Sequence, residues 1–160
     1  MDSRFDHDRD FHAWTREQAR LLREAARQRI NAPIDWEHIA EELDGMGDQI
    51  RDAIQSHLAT VIEHLLKLEH SPAEAPRRKW RASVAEHRGR VAAVLEDSPS
   101  LRRRVLDLLP RAWDRGRFQA AGSLQDYDGV DPDTLPEHCP YTLDDLVNRA
   151  MQPPNRHGLD

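Results

Sequence analysis

Apolar residues recur at intervals of three and four along almost the whole chain, the period of an amphipathic helix rather than the alternation of a strand. Phe11, Trp14, Leu21, Leu22 and Ala25 predict a first helix over about 8–29, broken at Asn31-Ala32-Pro33. Asp35 is placed to cap a short second helix, with Glu37 in the first turn, where the helix dipole favours an anion. Trp36, Ile39, Leu43 and Met46 form its apolar stripe, and Gly45 and Gly47 read as its stop. Ile50, Ile54, Leu58, Val61, Leu65 and Leu68 predict a long third helix over about 48–70. "HSPAEAP" is a loop. Trp80, Val84, Val91, Val94 and Leu95 mark a fourth helix over about 77–96.

Ser98 at the N-cap and Pro99 after it open a fifth helix carrying Leu101, Val105, Leu108, Leu109 and Trp113. Pro110 is expected to kink or split that helix near 106–109, and Gly122 to end it. Residues 123–141, with Gly129, Pro132, Pro136 and Pro140, read as an irregular connection. Thr142 and Asp145 form a capping box for a short helix over 143–150. Residues 151–160 read as a flexible tail. The predicted fold is all-α: an up-and-down helical bundle of four to five main helices with a short C-terminal helix, in a single domain over 1–150.

Composition narrows the classes of function. A chain of 160 residues suits one domain with one core. The net charge of −6 argues against bulk electrostatic binding to nucleic acid. Cys139 is the single cysteine, so no intrachain disulfide forms. The charged start "MDSRFDHDRDF" lacks the apolar stretch of a secretory leader, and no window approaches the roughly 18 apolar residues of a membrane span. A cytoplasmic protein is expected, with no membrane partner.

Charge is unevenly distributed. Residues 35–48 hold six acids and no Lys or Arg, and residues 77–90 hold six bases against Glu86. Glu37, Glu41, Glu42 and Asp44 are a candidate acidic docking surface. Arg77, Arg78, Lys79 and Arg81 are a candidate basic one, crowding a helix start where the dipole disfavours cations. The basic segment either contacts nucleic acid or an acidic partner, or is neutralised internally by the acidic element. Internal neutralisation is the preferred reading.

Several stretches, taken together and in order, carry a resemblance: "DFHAWTREQA" at 10–19, "DWEHIAEELDGMG" at 35–47, "HLLK" at 64–67, "RRKWRASV" at 77–84, "LEDSPSL" at 95–101 and "CPYTLDDL" at 139–146. The chain resembles the bacterial domain-of-unknown-function family 29 over nearly its whole length. The resemblance implies a helical single-domain fold and no particular activity. Leu68 stands where the family pattern has Trp, and His87-Arg88 where it has "QR". His64 belongs to the pattern.

Histidine supplies the candidate chemistry. Ile50, Ile54, His57, Val61, His64 and Leu68 follow a strict 4-3-4-3-4 seam, so both imidazoles lie on the apolar face. His87 shares a face with Trp80, Val84 and Val91. The short 71–76 loop makes the two helices antiparallel neighbours and puts His87 opposite about residue 60, between His57 and His64. One reading is a metal site of three imidazoles, His57, His64 and His87, with an open water position. Against it, His57 and His64 are seven apart, ~10.5 Å along a helix, and neither has a ligand type at i±3 or i±4. The preferred reading gives each imidazole an ordinary hydrogen-bond partner in the core, a carbonyl, a carboxylate or the Thr60 hydroxyl.

Other motifs carry less. "HIAEE" at 38–42 comes close to H-x-x-E-H, but position 42 is Glu, and a solvated pair is preferred. Trp14, Trp36, Trp80 and Trp113 are assigned to core packing. Cys139 has no placed base, and no phosphate-cradling or nucleophile-elbow motif occurs, so no catalytic residue is assigned. The leading expectation is a non-enzymatic protein-interaction module, binding an unknown protein or itself. The alternatives are a metal-binding bundle and a nucleic-acid-contacting accessory protein. No cofactor is expected; a divalent metal is the exception left open.

Overall fold

The structure, a computed structural model, describes residues 6–28, 30, 32–147 and 150–159. Five α-helices follow one another: α1 (Phe11–Arg27), α2 (Trp36–His70), α3 (Arg77–Asp97), α4 (Val105–Asp128) and α5 (Leu143–Val147). Short 3-10 turns occupy Pro99–Arg103 and Pro132–Thr134. No strand occurs among the described residues. By contacts the chain divides into two compact units, 1–53 with 93–104, and 54–92 with 105–160, where one domain over 1–150 was expected. Residue 31 of the predicted break, residue 29 at the predicted end of the first helix, and residues 148–149 of the helix predicted over 143–150 lie outside the described residues.

The first unit is organised by α1 against the first part of α2. Asp10 caps α1 by accepting from the Ala13 N–H at 2.9 Å. The same carboxylate accepts from the Ser100 backbone N–H and hydroxyl, tying the 3-10 turn to the helix start. The buried residues of α1 are His12, Thr15 and Ala19, one position round from the predicted stripe, and Leu21 is 44% exposed. Gly47 explains the rotation. A Cβ there would lie 3.0 Å from Thr15 Oγ1 and 3.2 Å from Arg16 Nε. Gly47 is therefore a site of close approach inside a continuous helix, not a stop, and it favours the small-residue face of α1. The predicted second and third helices are one helix of 35 residues.

The second unit has the denser core: Ile54, Leu58, Val61, Ile62, Leu65, Leu66 and Leu68 of α2 are almost fully buried, with Val84, Val91, Ala112, Trp113, Ala120 and Leu124. Gly116 sets the approach of α4, since a Cβ there would sit 2.5 Å from the Ala59 carbonyl oxygen and 2.9 Å from Ile62 side-chain atoms. Pro110 lies inside α4, and the break falls earlier, at the turn ending in Arg103. Pro110 costs one hydrogen bond, to the carbonyl of Leu106, an exposed residue that water can reach. Gly122 does not end α4, which runs to Asp128. Gly129 at φ +66° turns the chain there, and the Val130 N–H donates to the Leu124 carbonyl.

The terminal segment, expected as a tail, is docked. An α-helix leaves its last four carbonyls without intrahelical partners; in α2 that of Lys67 accepts from the Ser71 N–H, and the other three are met from residues 155–157. Asn155 Nδ2 donates to Leu68 O at 2.7 Å and Ser71 O at 3.0 Å, the Arg156 N–H to Glu69 O at 2.9 Å, and His157 Nε2 to His70 O at 3.0 Å. Asn155 is buried.

Candidate functional site

The paired imidazoles come from the facing sides of α2 and α3 in the second unit. His57 sits between buried Ile54 and Val61, and His87 between buried Val84 and Val91. Their Nδ1 atoms are 2.9 Å apart, with ring centroids 5.0 Å apart and planes tilted by 55°. One Nδ1 carries the proton and the other accepts it, so the two rings share one hydrogen. Burial holds the His57 imidazole below its ordinary value, and the charges of His87 and Arg90 add to this against Glu86. Arg90 is itself paired with Glu86 at 2.6 Å.

His64 does not join the pair. Its Nδ1 is buried without a hydrogen-bond partner. The Thr60 hydroxyl, a candidate partner, instead donates to Ser56 O at 3.2 Å. Burial lowers the His64 imidazole; Glu63 opposes this, and Lys67 and His87 reinforce it. Among the described residues, no group of three or more His, Cys, Asp or Glu side chains is placed to hold a metal ion.

The acidic segment belongs to the first unit and the basic segment to the second, and each finds partners within its own unit. The acids of 37–48 pair with α1. Asp44 accepts from Arg16 Nη1 at 2.8 Å and Arg23 Nη1 at 2.7 Å; Asp48 accepts from Arg16 as well, and Glu37 lies 3.8 Å from Arg23. Burial acts to raise the Asp44 carboxyl, but the hydrogen bonds and charges of the two arginines leave it below its usual range. Glu41 and Glu42 are exposed. His38 pairs with Asp35 at 2.5 Å, a solvated contact that raises the imidazole.

In the basic segment, two arginines make carbonyl contacts. Arg77 is buried and donates to Leu68 O at 2.9 Å. Arg88, 2% exposed, donates to the carbonyls of Leu146, Met151 and Asp145 at 3.1, 2.8 and 2.6 Å. Two arginines of this stretch therefore clamp backbone, while Arg78 and Lys79 are exposed. Arg81 Nε is buried without a hydrogen-bond partner. Arg88 was not singled out from sequence; a basic residue on a buried helix face beside Val84 and Val91 was the available signal.

A third feature is apolar. Among the described residues, five of the eight exposed large hydrophobic side chains, Leu21, Ile30, Ile34, Ile39 and Met46, fall between positions 21 and 46. Ile39, Leu43, Met46, Ile50 and Ala53 share one face of α2 by their 4-3-4-3 spacing, and none is fully buried. Met46, Ile50 and Ala53 line a cleft of about 330 Å³ with Phe11, Val94, Gln49, Asp97 and Ser98.

The family model described as Domain of unknown function DUF29 matches residues 7–151. The chain belongs to that family. DUF29 carries no activity in its description, and the search of curated proteins returned no match. Among solved structures, an alpha-helical protein of unknown function from Rhodospirillum rubrum is similar, at 23% identity and a TM-score of 0.77 over 92% of each chain. That likeness shows the all-helical fold.

Proposed function

We propose that this DUF29 domain is a non-enzymatic protein-interaction module that works in the cytoplasm. Its docking surface is the open stripe of α2. The observation that supports this most directly is the exposure of Ile39, at 43%, and Met46, at 41%, on the same helical face as Ile50. Apolar side chains at this spacing form the seam by which a helix receives another helix. The cleft beside Met46 and Ile50 gives a partner side chain a place to enter. Glu42 borders the stripe on one side, and Asp97 lines the cleft. The occupant that fits is an amphipathic helix with Lys or Arg beside its apolar residues.

No helix of the described residues is long and apolar enough to cross a membrane. The nucleic-acid alternative draws on fewer cations than the sequence offers, because Arg77 and Arg88 are directed to carbonyls.

A photo-crosslinking residue at position 46 tests the proposal. The expected product is a defined complex whose affinity drops at least tenfold in Met46→Asp and Ile39→Asp. Phe118→Asp, on an exposed position of the other unit, leaves it unchanged. Binding indifferent to positions 39 and 46 contradicts the proposal. Light scattering of the crosslinked species distinguishes a second copy of the chain from a different partner.

A further inference from the structure

The imidazole pair has chemistry that a docking surface does not use. We propose that His57 and His87 form a two-imidazole binding site for a divalent transition metal, with the two Nδ1 atoms as ligands and water in the remaining positions. The hydrogen-bonded pair is the metal-free form: the ring that carries the Nδ1 proton shifts it to Nε2 on binding, and both rings turn so that their Nδ1 lone pairs meet at an ion beside the line that joins the two nitrogens.

The distance supports this. Two nitrogens bound cis to an ion, each at ~2.0–2.1 Å and about 90° apart, lie roughly 2.8–3.0 Å from each other. The Nδ1 atoms are 2.9 Å apart. A tetrahedral ion asks for about 3.3 Å, so the pair suits a tetragonal ion more closely than zinc. Cu(II) and Ni(II) take that geometry, and Cu(II) heads the affinity order for nitrogen ligands. The two rings come from different helices, each held between buried aliphatic neighbours, so their separation is set by helix packing and not by a flexible loop.

Solvent access and charge agree. Both rings are half-buried, so water can complete the coordination sphere. Burial disfavours the charged form of the His57 ring. The charges that reach His57 are Arg90 and Glu86, and these are paired with each other. Glu63 and Lys67, which reach His64, are likewise paired. With no third protein ligand among the described residues, binding is exchangeable rather than structural.

The test is a calorimetric titration of the untagged full chain, first stripped with chelator, with Cu(II), Ni(II) and Zn(II). Electron paramagnetic resonance of the copper form accompanies it. The expected result is one tight site, tightest for Cu(II), with hyperfine structure from two nitrogens and weaker binding as pH falls from about 7.5 to 6. His57→Gln and His87→Gln each weaken it at least tenfold, while His64→Gln leaves it unchanged. Circular dichroism checks that the variants fold. Should either fail, selective broadening of the His57 and His87 imidazole signals by Cu(II) in the unaltered protein decides. Binding that survives both substitutions, broadening confined to other histidines such as His7 or His38, or no binding overturns the site.

Discussion

At the scale of single residues, His64 occupies an uncomfortable position. Its Nδ1 is buried and without a partner, and burial disfavours its charged form. An unsatisfied buried nitrogen costs about 1–3 kcal/mol relative to a paired one. His64→Leu is therefore expected to hold or raise the melting temperature, whereas most substitutions at a half-buried position lower it. A clear fall in a thermal melt would show that the ring makes contacts that stabilise the unit. The same residue contributes to a pH response. His12, His57, His64 and His70 are all lowered from 6.5, chiefly by burial. Below that pH the unfolded chain binds protons that the folded chain refuses. Stability is then complete above about 6.5 and is lost as pH falls through the lowered folded values. His38, raised by Asp35, acts in the opposite sense but is fully exposed. Melting temperature should fall from pH 7.5 to 5.5, and less steeply in His64→Leu; a flat profile would contradict this.

At the scale of elements, two glycines of α4 make opposite predictions. Gly116 faces the Ala59 carbonyl and Ile62 with no room for a Cβ, while Gly122 has open space around it. Gly116→Ala should cost about 1–3 kcal/mol by overpacking. Gly122→Ala should stabilise by roughly 0.5–1 kcal/mol through helix propensity. Chemical denaturation of the two variants checks both signs, and equal effects would contradict the packing of α4 on α2. Asn155→Ala should cost about 1–3 kcal/mol, because it removes the donor to the Ser71 carbonyl and leaves the Leu68 carbonyl with Arg77 alone. A loss near zero would mean that residues 155–157 do not cap α2.

These elements also show what sequence reasoning could reach. Helix existence was legible because periodicity of three and four is strong in every segment. Boundaries set by glycine were not: Gly45, Gly47 and Gly122 lie within helices, and only contact with Thr15 and Arg16 explains Gly47. The facing of His57 and His87 was legible from the seam and the short loop, to within about a turn of the expected register. The capping of α2 by Asn155 was not, because the partners are 84 to 87 residues apart in sequence. For the same reason the partners of Asp44 and Arg88 could not be read from charge runs. A charge run shows where ions are plentiful, not which of them find carboxylates and which find carbonyls.

At the scale of the whole molecule, the two units carry different features. The one formed by 54–92 and 105–160 holds the larger aliphatic core, the carbonyl-clamping arginines and the imidazole pair. The one formed by 1–53 and 93–104 is held by ion pairs and small-residue packing, and it leaves apolar side chains open along α2. That division motivates an interaction role located on the first unit. The most direct test measures the affinity of the complex captured through position 46, in the unaltered protein and in Met46→Asp. The account predicts a loss of at least tenfold in a variant that melts like the parent; an unchanged affinity in that folded variant would contradict it.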